Sequence, residues 1–350
     1  MSEPEIICER RGAAGIATLN RPRALNAITH GMVTALAEAL ESWERDPAIS
    51  RVVIKAAGEK AFCAGGDIRV LYEAGRAGEV ARSLAFWRDE YHLNIRIKRF
   101  PKPYLALIDG LVMGGGVGVS LHGSHRVAGD GYRFSMPEVG IGFFPDVGAT
   151  WALPRLPGES GMYLGLTGAR VGSDDAAALG LATHRVASVD LPGIEAALAA
   201  GEPVEGLLAG SVPPPADGPV SAERATIDRC FAAASPQAVL GELERAADEG
   251  SAFARDAAAT IRSKAPSSLA IAFEQIRRGA SLSFEDAMAT EFRIVSRVAR
   301  GHDFYEGVRA AIIDRDQRPR WQPASLDDIP PGFVERHFAP LGAGELLVPA

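Results

Sequence analysis

Two apolar runs, Arg51–Ala56 (RVVIKA) and Tyr104–Ile108 (YLALI), each lead within a few residues into a glycine cluster. The clusters are KAFCAGGD at Lys60–Asp67 and MGGGVG at Met113–Gly118. This pairing restricts the fold more than any other feature of the sequence. Short, nearly continuous apolar runs read as strands buried on both faces. Glycine after such a strand accepts φ > 0 and lets the backbone approach a ligand closely. Two turns of this kind at the carboxyl ends of neighbouring strands can aim two backbone N–H groups at one oxygen, the geometry of an oxyanion hole. Taken singly, each cluster reads first as a tight turn or as close helix–strand packing. Neither matches the dinucleotide spacing GxGxxG or the phosphate loop GxxxxGK[ST].

The remaining pattern is that of an α/β chain. Ile6–Leu19 has the form of a hairpin around Arg10–Ala14 (RRGAA). Thr29 is placed to cap a helix from about Met32 to Trp43, with Val33, Leu36, Leu40 and Trp43 on one face. Further short strands are expected at Arg126–Ala128 and Tyr132–Ser135. Strands alternating with helices predict a largely buried sheet. From about Leu166 the chain turns Ala-rich, with helices expected at Ser173–Leu179, Gly193–Ala199, Ala222–Ala233, Pro236–Asp248, Ala252–Ser263 and Phe284–Arg300. Loops are expected at Gly201–Gly206 and Val212–Val220, and an irregular Pro-rich tail from Pro319. The shift divides the chain into an α/β core, 1–165, and a mostly helical region with its tail, 166–350.

A formal net charge of −7 argues against nucleic acid or an anionic membrane as the main partner. Cys8, Cys63 and Cys230 are widely spaced and odd in number, which reads as reduced thiols with no disulfide or zinc framework. Met1–Glu5 carries two acids before a strand-like run and does not read as a signal or transit peptide. The expected compartment is the cytoplasm.

LNRPRALNA, KAFCAGGD, MGGGVG and MPEVGIG follow one another in the order and at the spacings of the crotonase (enoyl-CoA hydratase/isomerase) superfamily, which this chain resembles. The resemblance implies a spiral of repeated β-β-α units with a helical C-terminal region. It implies an acyl-CoA substrate and no separate cofactor, the CoA being part of the substrate, and it allows a homo-oligomer. The amides of Gly66 and Gly115 would form the oxyanion hole. Residues Arg23–Asn26 and Ala61–Ala64 would line the CoA path.

Oxyanion stabilisation is common to the superfamily, so the acids specify the reaction. A hydratase of this type uses two glutamates. Here the first position is Gly118, while the second is kept as Glu138 in Met136-Pro137-Glu138. Asp146 stands eight residues further on, in FFPDVG, where hydratases tend to have glycine. That pattern resembles the 3-hydroxyisobutyryl-CoA hydrolase branch, which acts in valine breakdown. The likeness continues through FCAGGDIRVLYEA and the downstream ARGHDFYEGVRAAIIDRDQRPRWQPASL, and it adds Glu90 in WRDEY as a substrate-binding acid. It implies that Gly66, Gly115, Glu138 and Asp146 are catalytic and that Glu90, Gly115, Glu138 and Asp146 bind substrate, with no metal. Considered alone, Glu138 reads equally as a surface or capping acid and as a catalytic one, Asp146 as a turn former, and Glu90 in Arg88-Asp89-Glu90 as part of a solvated helix face. His122 and His125 read as structural, and Ser124 and Cys63 lack a partnered base. The alternatives are a hydratase or isomerase, and a non-catalytic acyl-CoA-binding protein on the same scaffold.

Overall fold

The structure, a computed structural model, describes residues 3–211 and 218–348. It opens with the expected hairpin: β1 (Ile6–Arg11) and β2 (Ala14–Leu19) pair antiparallel on either side of Gly12, whose φ is +54°. Eight further strands follow: β3 (Arg51–Ala56), β4 (Ala61–Cys63), β5 (Tyr104–Ile108), β6 (Leu111–Met113), β7 (His125–Ala128), β8 (Arg133–Ser135), β9 (Val171–Gly172) and β10 (His184–Arg185). One sheet has the order β1-β2-β3-β5-β7-β10 and the other β4-β6-β8-β9. From β2 onward the larger sheet is parallel, as are β4, β6 and β8 of the smaller. The chain passes from β3 to β4, from β5 to β6 and from β7 to β8, so each of these three strands of the larger sheet is followed directly by one of the smaller. With helices between these steps, the result is the β-β-α spiral.

Both faces of the larger sheet are covered, which is why its strands read as unbroken apolar runs. Ala14, Ile16, Val53, Leu105, Leu107 and Val127 pack with Ile194, Leu198, Val204 and Leu208, from the helices Leu191–Ala200 and Val204–Leu208. Gly15, pointing the other way, lies under the Trp43 ring, and a methyl there would fall 2.4 Å from it. Trp43 comes from helix His30–Arg45, which Thr29 caps by accepting the Met32 N–H, and which buries Met32, Val33, Leu36, Leu40 and Trp43.

By backbone contacts the chain groups into two units. The first comprises Met1–Asp67, Asp89–Ser135 and Val171–Gly218 and holds both sheets. The second comprises Ile68–Arg88, Met136–Arg170 and Pro219–Ala350. Its helix Pro266–Gly279 packs against Ala149–Ala152 so tightly that a methyl on Gly279 would lie 1.8 Å from the Thr150 carbonyl oxygen. Trp87, Phe143 and Phe304 form an aromatic group with ring centroids 5.5–6.0 Å apart. The tail after Pro319 is mostly irregular. It is tied down where Arg297 donates to the carbonyls of His337 and Pro340 and where Arg293 pairs with Glu345 at 3.0 Å. The loop expected at Val212–Val220 lies largely on 212–217, outside the described residues, and Pro219–Ala222 is helical. No helix among the described residues is long and apolar enough to cross a membrane.

Candidate active site

In the first unit the two glycine turns meet. Ile28 donates to the Gly65 carbonyl at 2.8 Å and accepts from Asp67 at 2.8 Å, a parallel bridge that leaves the Gly66 N–H facing the other way. Gly65 needs its φ of +108° to make this turn. The partner segment is fixed by Asn26, fully buried and itself at φ +56°, which donates to the carbonyls of Ala57 and Ala61 and accepts from the Arg21 N–H. Arg21 then pairs with Asp67 at 3.0 Å.

Gly114, at φ +44°, starts the short helix Gly115–Gly118 directly after β6. A methyl placed on Gly115 would lie 3.4 Å from the Gly66 nitrogen and 2.7 Å from Glu90 Oε1. The two glycines expected to supply the oxyanion donors are thus neighbours, with the Glu90 carboxyl beside them. Glu90 is 2% exposed, so the solvated-helix reading of Arg88-Asp89-Glu90 does not hold for it. The charge string is split by helical geometry: Asp89 pairs with His30 on the surface, while Glu90 turns inward. Gly118, where a hydratase carries its first glutamate, is buried within the helix and bonded to the Gly114 carbonyl. Cys63 packs under Gly116, and burial pushes its thiol up to about 12, which makes it inert at neutral pH.

In the second unit Glu138 and Asp146 come from one segment, and both are buried. Glu138 opens the turn Glu138–Ile141, which Gly142 closes at φ +70°. Helix His302–Val308 crosses this turn closely: a methyl on Gly142 would meet the Asp303 carbonyl at 2.0 Å, and one on Gly307 would meet Ile141 at 2.3 Å. Ala265 also donates to the Val139 carbonyl at 3.0 Å. Burial first, and then the charge of Asp146, hold the Glu138 carboxyl well above the usual carboxylate range. Its Oε2 has no hydrogen-bond partner among the described residues.

A third acid was not legible as functional. Glu291, on helix Phe284–Val298, is fully buried and accepts the N–H groups of Gly148 and Thr150, just beyond Asp146. The sequence does carry a signal for it. Phe284, Ala287, Met288, Ile294, Val295 and Val298 form the apolar stripe of that helix, and Glu291 stands in the middle of the stripe.

A family model described as enoyl-CoA hydratase/isomerase matches residues 14–338. The chain belongs to the enoyl-CoA hydratase/isomerase family. Among curated members, the mitochondrial 3-hydroxyisobutyryl-CoA hydrolase of Danio rerio is 44% identical over 98% of this chain and 91% of its own. The protein of the same name from Homo sapiens is 40% identical over 98% and 90%. Among solved structures, a carnitinyl-CoA dehydratase from Mycobacterium thermoresistibile superposes with a TM-score of 0.92 at 39% identity, covering 98% of both chains. An enoyl-CoA hydratase from Rhodobacter sphaeroides 2.4.1 does so with a TM-score of 0.92 at 40% identity, covering 98% of this chain and 100% of that one. The fold of this family member, two mixed sheets and a helical C-terminal region, is therefore that of enoyl-CoA hydratase structures.

Proposed function

We propose that this chain hydrolyses the thioester of 3-hydroxyisobutyryl-CoA to free CoA and 3-hydroxyisobutyrate. The observation that carries the reading is the distribution of acids on a full-length likeness to hydrolases of that name. Gly118 leaves the hydratase's first glutamate position without a carboxyl, while Glu138, Asp146 and Glu90 are all buried acids. Buried carboxyls are costly, and a chain that keeps three of them in its motif segments has a use for them.

In this reading the amides of Gly66 and Gly115 stabilise the charge that develops on the thioester oxygen. Glu138 either takes a proton from the attacking water or attacks the carbonyl itself. An oxygen–carbon bond forms, the carbon–sulfur bond breaks, and the CoA sulfur leaves as a thiol once protonated. On the covalent route water then cleaves the Glu138–acyl anhydride, releasing the acid and restoring the carboxyl. Asp146 and Glu90 hold the 3-hydroxyl of the acyl group. The 1–165 core carries this acyl-CoA chemistry and 166–350 supports it. We place the enzyme in the cytoplasm, whereas the curated relatives are named as mitochondrial, and family likeness allows a homo-oligomer.

The solved relatives are named for hydration and dehydration, so the deciding experiment compares the two reactions. Free thiol should appear rapidly from 3-hydroxyisobutyryl-CoA, and the enoyl absorbance of crotonyl-CoA should persist. Efficient loss of that absorbance, with no thiol from the hydroxy substrate, would replace this reading with a hydratase.

A further inference from the structure

The backbone that carries Asp146 is strained. Val147 has a φ of +53° and Gly148 one of +93°. A β-branched residue adopts the left-handed region only where its surroundings compel it. Two buried side chains from the C-terminal helices supply that constraint. Glu291 accepts the Gly148 N–H at 2.8 Å and the Thr150 N–H at 2.9 Å. Gln275, fully buried on helix Pro266–Gly279, donates to the Pro145 carbonyl and, at 2.8 Å, to Thr150 Oγ1. Their partners bracket Asp146: Pro145 before it, Gly148 and Thr150 after it. Leucine or methionine in place of either polar side chain would fill the same space without the cost of burying a carboxyl or an amide. What an apolar residue would not do is satisfy these backbone groups.

We propose that Glu291 and Gln275 are positioning residues, a two-sided clamp that fixes the Pro145–Thr150 turn and thereby the orientation of Asp146. The helical C-terminal region is then part of the catalytic apparatus through that turn. The inference rests on the role in hydrolysis proposed for Asp146. Burial first and Asp146 second push Glu291 up to about 8, so it is largely neutral at pH 7 and spares the turn a second buried charge beside Asp146.

The test measures thiol release by Glu291→Leu, Glu291→Gln and Gln275→Leu, each in the wild-type and in the Asp146→Ala background. Glu291→Leu should lower kcat by about 10²-fold, the scale of a misplaced catalytic group, with KM within about threefold. Glu291→Gln, which keeps one acceptor, and Gln275→Leu should each cost about 10-fold. Without Asp146 the same changes should cost less than about threefold, because residues acting as one unit are not additive. Equal losses in both backgrounds, or an unchanged kcat, would overturn the proposal. If Glu291→Leu does not fold, the two milder variants carry the same comparison. Amide exchange should rise at both Gly148 and Thr150 in Glu291→Leu and at one of the two in Glu291→Gln, whatever the enzyme's activity, and unchanged exchange would also overturn it. A wild-type protein that releases no thiol would instead defeat the hydrolase reading and leave the exchange result standing.

Discussion

Glu138 is buried beside another acid, and its carboxyl is held well above the usual carboxylate range by burial and then by Asp146. If it serves as base or nucleophile, Glu138→Gln should lower kcat by at least about 10²-fold while acyl-CoA binding changes little. The acidic limb of the wild-type kcat/KM profile should also lie above the ordinary carboxylate range, as an apparent value belonging to the coupled acids together. A variant with near-normal turnover would remove Glu138 from the mechanism. Glu291 gives a separate, activity-independent signal. Its pKa is raised to about 8, so between the usual carboxylate range and about 8 the folded protein keeps a proton that the unfolded chain has already released. Stability therefore falls as pH rises through that window and levels off above it. The melting temperature of Glu291→Gln should decline less between about pH 5 and 8 than that of the wild type, and equal slopes would contradict the shift. Gly66, Gly115, Glu90, Glu138 and Asp146 were legible as candidates because each stands in a motif. Glu291 was not, because its role lies in two backbone N–H groups more than a hundred residues away, which no local pattern reveals.

The elements that sequence reasoning finds are those whose own chemistry determines them. The hairpin turn, the Thr29 cap, RVVIKA, YLALI and the helix Pro236–Asp248 all appear where propensity and pattern place them. The strands Ala61–Cys63, Leu111–Met113, Val171–Gly172 and His184–Arg185 have two or three residues each, too few for any period, and exist because a neighbouring strand pairs with them. Helix Pro266–Gly279 was not among the expected helices; it buries Ser267, Ser268 and Gln275 along with its apolar residues. The close crossing of helix His302–Val308 over the Glu138 turn is set by two missing side chains. Gly142→Ala would both strain a φ of +70° and drive a methyl into the Asp303 carbonyl. The expected cost is about 2–4 kcal/mol in denaturant unfolding. A loss below about 0.5 kcal/mol, the scale of an ordinary surface change, would show that the crossing is not held this tightly.

At the scale of the whole chain, composition places a boundary after residue 165, whereas backbone contacts group Val171–Gly218 with the sheets and Ile68–Arg88 and Met136–Arg170 with the C-terminal helices. Composition records where helices become frequent and does not record which segments they pack against. Within the second unit the downstream string that sets this branch apart packs on the turn carrying Glu138, through Asp303, Phe304 and Gly307. The retained Glu138 thus sits on a turn held by the region that distinguishes the branch, while the acids gained relative to a hydratase are Asp146 and Glu90. The account as a whole stands on those acids serving a 3-hydroxyacyl thioester. A site that hydrogen-bonds a substrate hydroxyl rejects the analogue lacking it by about 10⁴-fold or more, because its buried polar groups are left unpaired. The most direct measurement is kcat/KM for thiol release from 3-hydroxyisobutyryl-CoA against isobutyryl-CoA under identical conditions. The account predicts a preference of about 10⁴ for the hydroxy substrate. Comparable rates for the two would contradict it.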